Sequence, residues 1–63
     1  METHYRIVQH DDTIPRLKYL PYEGNALDIT AKANLCRQEH KTLVALRCGE
    51  SMIHGKVKIE RIK

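Results

Sequence analysis

Cys36, His40, Cys48 and His54 fall within nineteen residues of one another. Two sulfurs and two imidazoles are the right donors for a tetrahedral zinc ion. Structural zinc sites, however, bring their ligands in as tight pairs such as Cys-x2-Cys. The spacing Cys36-x3-His40-x7-Cys48-x5-His54 belongs to no such module,. The plainer reading is buried thiols and solvated histidines, so neither a metal nor a cofactor is expected.

The remaining polar clusters offer less. His10-Asp11-Asp12 has the residue types of an acid/base or metal cluster, but it sits in a turn-forming stretch, where Asp caps backbone groups,. No Ser-His-Asp set, glycine-rich phosphate loop or carboxylate pair appears at useful spacing. Sixty-three residues are also too few to enclose a substrate, so an enzyme is not expected,.

Charge is the strongest functional signal. Residues 1–31 carry three basic and five acidic side chains, and residues 32–63 carry eight basic and three acidic ones. The basic half ends in Lys56-Val57-Lys58-Ile59-Glu60-Arg61-Ile62-Lys63, whose apolar and charged residues alternate as in a half-solvated strand,. On such a strand Lys56 and Lys58 share one face, and Arg47 on the preceding strand lies near them. A stripe of this kind neutralises phosphates and makes binding salt-dependent. Its bland counterpart is an edge strand whose lysines discourage aggregation. Strand parity puts Arg61 with Val57 and Ile59 on the core side, at a mouth where it would meet an anion or snorkel past the sheet.

The elements that must position these residues follow from length and turn signals. A 63-residue chain is one domain, residues 1–63, and buries only about 60% of its unfolded surface,. Hydrophobic residues make up 41% and charged ones 30%, a globular composition, and the absence of Phe and Trp leaves an aliphatic core with three Tyr,. No apolar run approaches the ~20 residues of a membrane span, and Met1-Glu2-Thr3-His4 lacks the basic patch of a signal peptide, so no membrane partner and a cytoplasmic location are expected,. Two cysteines are too few for a disulfide framework.

Turn-forming clusters cut the chain into five short pieces: Tyr5–Gln9, Ile14–Leu20, Ala26–Leu35, Thr42–Arg47 and about Met52–Ile62,. The third decides the fold class. Leu27, Ile29, Ala31, Ala33 and Leu35 alternate with polar residues without a miss, which predicts a strand with one apolar face,. Against it, Ala, Asp, Asn and Lys are poor strand formers, and Asn25 with Asp28 can start a helix over about 26–40. That alternative makes the chain α+β and opens a helix-turn-helix reading of Ala31 to Leu46, with Thr42–Leu46 opening the recognition helix and the last strand as a wing. The run Leu43-Val44-Ala45-Leu46, with its β-branched Val44, favours a buried strand instead.

From Arg16 onward the order of features resembles the WYL domain, a small Sm-like β-barrel of bacterial regulators and phage-defence proteins. Arg16-Leu17-Lys18-Tyr19 with Gly24 and Leu27-Asp28-Ile29 is similar to that family's opening hairpin, Thr42–Arg47 to its name-giving strand and Val57–Ile62 to its closing strand. Lys41-Thr42-Leu43 stands where the family has Trp-Tyr-Leu, and Leu46-x-x-Gly49-Glu50 with Gly55 resembles an Sm motif with one residue too many between the glycines. The resemblance implies ligand or nucleic-acid sensing through basic residues on the sheet, carried over to Arg61, Tyr19 and Arg47.

The sequence therefore predicts an all-β domain, a five-stranded antiparallel small barrel of the Sm/SH3 type. The expected function is a small regulatory module that contacts nucleic acid or another anionic ligand through Arg47, Lys56, Lys58 and Arg61, with Tyr19. The rival is a protein–protein module, such as a phage or plasmid accessory protein, that docks on a host enzyme or forms a homo-oligomer through an edge strand.

Overall fold

The computed structural model describes residues 3–63 and is α+β, not all-β. Strands β1 (Tyr5–Gln9) and β2 (Tyr22–Gly24) precede helices α1 (Ala26–Ala33) and α2 (Arg37–Ala45), and strands β3 (Ser51–His54) and β4 (Val57–Arg61) close the chain. The sheet is antiparallel throughout in the order β2-β1-β4-β3, with open edges at β2 and β3. The expected five-stranded barrel is thus corrected to an open four-stranded sheet.

The third piece is the decisive correction. Asn25 Oδ1 accepts the Asp28 N–H at 2.9 Å, and the Asp28 carboxylate accepts the Asn25 N–H at 3.3 Å. This capping box contributes about 1 kcal/mol before any packing is counted. It closes against Gly24, where an added Cβ would lie 2.8 Å from that of Asp28. At the other end of the helix, Asn34 takes a left-handed conformation (φ 55°) and the Leu35 N–H reaches back to the Thr30 carbonyl at 2.9 Å, which ends α1,. The perfect alternation was incidental: Ile29 and Leu35 are buried, but Leu27 is 74% exposed and Ala31 lies in solvent.

The fourth expected strand is corrected as well. Arg37, Gln38, Glu39, Lys41, Leu43 and Ala45 are good helix formers, and the apolar run Leu43–Leu46 finishes α2 rather than crossing a core,. Only Leu43 of that run is fully buried, and Val44 is half exposed. The second piece forms no strand. It contains Pro15, which has no N–H for a ladder, and it folds into a loop around the Gln9 side chain,. The last piece is a hairpin whose two-residue turn needs a positive φ at its first position, supplied by Gly55 (φ 59°),.

One face of the sheet carries the core. Tyr5, Ile7, Val57 and Ile59 meet Ile29 and Leu43 of the helices and Leu35 of the turn between them, and a side chain of this size, where fully buried, is worth about 1.5–3 kcal/mol,. The Tyr5 hydroxyl donates to the Leu43 carbonyl at 3.3 Å, so burial leaves it satisfied,. The opposite face bears Arg6, Glu23, Lys58 and Glu60 in register. Glu23 bonds both His4 (2.8 Å) and Arg6 (3.2 Å), which hold its carboxyl below the ordinary range, His4 first.

Candidate nucleic-acid interface

Helices α1 and α2 are joined by Asn34-Leu35-Cys36 alone, a connection of helix-turn-helix length,. The left-handed Asn34 stands where such turns commonly place glycine, and Leu35 inserts into the core between the two helices,. A bond between the Thr30 hydroxyl and His40 Nδ1 at 2.7 Å ties one helix to the other.

Two tethers lay α2 along the hairpin. At its start, Glu39 bonds His54 Nδ1 at the end of β3 and also accepts the Cys36 N–H at 3.0 Å. The Cys36 N–H, then the Cys36 thiol, then His54 hold the Glu39 carboxyl below its ordinary value. Just beyond the helix end, the Arg61 guanidinium donates to the Leu46 carbonyl at 2.6 Å. The start of α2 therefore lies beside the hairpin turn that carries Gly55 and Lys56.

With the inner face so committed, the outer face of α2 has one sign of charge. Arg37, Gln38, Lys41, Thr42, Val44 and Ala45 are exposed, while Glu39 and His40 are turned inward to partners. At about 100° per residue, Arg37, Lys41 and Ala45 run along the middle of this face and Gln38 and Thr42 flank it on one side. Arginine, lysine, glutamine and threonine on one solvent-facing helix are donors and acceptors suited to phosphates and base edges. A small residue such as Ala45 allows close approach.

The basic residues singled out in the sequence do not share one surface. Lys56 is exposed at the hairpin turn, beside the start of α2. Lys58 lies on the sheet face opposite the helices, 3.4 Å from Glu60. Arg61 is at the other end of β4, about 16 Å along the strand from Lys56, and is spent on the Leu46 and Lys63 carbonyls,. Arg47 is exposed at that same far end, where its N–H donates to Glu50 at 2.7 Å. Tyr19 lies at the β2 side, where its ring and that of Tyr22 flank the Lys32 ammonium at 5.7 and 5.1 Å.

Nor do the four metal-ligand types converge. His40 is engaged with Thr30, His54 with Glu39, and Cys48 Sγ donates to the Ile62 carbonyl at 3.2 Å. Both cysteines are free, and both are exposed rather than buried as expected. Among the described residues no three His, Cys, Asp or Glu side chains form a metal-binding group. No helix among them is long and apolar enough to cross a membrane.

The residues that the sequence reading misses are Arg37, Gln38 and Lys41, which fall between the expected strands Ala26–Leu35 and Thr42–Arg47. Their signal was a second capping pattern, Cys36-x-x-Glu39, three residues after the first helix ends,. The chain matches no protein-family model, no curated protein and no solved structure.

Proposed function

We infer that this protein is a small regulatory module that binds double-stranded nucleic acid through α2, with the β3–β4 hairpin turn as a flanking phosphate contact. The carrying observation is the exposed face of α2, basic along its middle and free of acidic side chains, on the second helix of a helix-turn-helix pair. Arg37 and Gln38 are the candidates for base contacts, because residues at the start of a recognition helix reach furthest into the major groove. Lys41 and Lys56 are the candidates for phosphates. The basic-strand reading narrows accordingly to Lys56.

A titration of labelled duplex and single-stranded oligonucleotides, followed by fluorescence anisotropy at two salt concentrations, tests this. Duplex binding that weakens steeply with salt is the expected result. The rival reading, protein docking, draws on β3, an edge strand without Lys, Arg, Asp, Glu or Pro whose Ile53 is 52% exposed. Pairing along that edge is nearly indifferent to salt, so no duplex binding at low salt would favour it.

A further inference from the structure

We propose that the loop between β1 and β2 forms a second, independent site, a pocket for a small zwitterion of the α-amino acid class with an apolar side chain. A cavity of about 500 Å³ opens there, within the usual range for small-molecule sites of about 300–1,000 Å³. Its apolar wall is Val8, Ile14, Leu20 and Pro21, and two charges of opposite sign, Asp12 and Arg16, also line it.

The pocket is preformed. The Gln9 side chain donates to the Asp11 and Ile14 carbonyls at 2.7 and 3.3 Å and accepts the Leu17 N–H at 2.9 Å. Asp11 in turn accepts the Thr13 N–H at 2.9 Å. One amide thus fixes the loop at three points. The ordering cost that usually weakens loop sites is already met on folding.

The charges are unspent. Among the described residues neither Asp12 nor Arg16 takes part in an ion pair, although they line the same cavity. A guanidinium recognises a carboxylate through paired donors, and a carboxylate recognises an ammonium. A ligand bearing both groups on one carbon, with an aliphatic or aromatic side chain against the apolar wall, uses every part of the lining. A simple anion would leave Asp12 facing it with like charge, and a simple cation would do the same to Arg16.

Calorimetric titration of the full chain with L-leucine and L-phenylalanine, with 4-methylpentanoate and isopentylamine as single-charge controls, tests the proposal without any nucleic acid. The expected result is saturable binding of at least one amino acid, with each control at least tenfold weaker. Amide chemical-shift changes should be confined to the region of residues 8–21. Arg16→Gln and Asp12→Asn, both solvent-facing and so compatible with folding, should each weaken binding at least tenfold while leaving the unliganded Tm unchanged. Absence of binding by both amino acids, equal binding of the controls, or shifts centred elsewhere would overturn the proposal. None of these outcomes bears on the α2 reading.

Discussion

Glu39 in the first turn of α2 is bonded to His54 at the end of β3, so one side chain both caps a helix and fastens it to the hairpin. Because the folded state holds this carboxyl below its ordinary value of 4.5, the unfolded chain binds the proton more tightly. The associated stability is present above about pH 4.5 and is lost as pH falls through the folded value.

Glu23 and Asp11 are shifted in the same direction, Glu23 chiefly by His4 and Asp11 chiefly by the Thr13 hydroxyl. Denaturant midpoints measured from pH 7 to pH 3 should therefore stay level at first and then fall. Glu39→Gln should lower the neutral-pH midpoint and flatten the acid limb. A midpoint that rises on acidification would contradict this account.

Binding should separate the two lysines that the sequence grouped together. Lys56→Glu, at the turn beside α2, should weaken duplex binding at low salt by tenfold or more. Lys58→Glu, on the opposite sheet face and beside Glu60, should leave it within about twofold, since a charge on the far face acts only through a screened field,. Equal losses would mean that the sheet face, and not the helix, meets the ligand.

Within α2, Lys41→Ala should weaken binding to all duplex sequences alike and reduce the slope of log affinity against log salt by about 1. Arg37→Ala should cost about 1–3 kcal/mol on a preferred sequence and relax discrimination. Competition titrations with scrambled duplexes distinguish the two patterns.

Arg61→Ala should lower unfolding stability by about 1–3 kcal/mol, because it strands the Leu46 carbonyl at the end of α2,. Urea denaturation reads this directly. Stability equal to the parent's would remove Arg61 from the scaffold and return it to the list of ligand contacts.

At the turn, Asn34→Gly should be tolerated and Asn34→Val should cost about 1–2 kcal/mol, the usual penalty for a left-handed β-branched residue,. Thermal denaturation of the two variants side by side checks it.

Part of this architecture was legible in the residues. β1 and the alternating Val57–Arg61 were read as strands because their burial does have a period of two. The period misled at Ala26–Leu35, where only some of the apolar residues are buried and the capping box outweighs the alternation. At Thr42–Arg47 the apolar run Leu43–Leu46 resembles a strand, yet a short helix lying on a sheet needs only Leu43 fully inside. The basic face of α2 was hidden for the same reason. Arg37 and Lys41 fall on one surface only when the backbone turns by about 100° per residue.

The tyrosines have a practical consequence. With no tryptophan in the chain, three phenols supply all the near-ultraviolet fluorescence. Tyr5 is sealed in the core with its hydroxyl on Leu43, while Tyr19 is open to solvent beside Lys32. A collisional quencher such as acrylamide will reach the second and spare the first. The resistant part of the emission should become quenchable only as the core opens, so the protein reports on its own unfolding without a label.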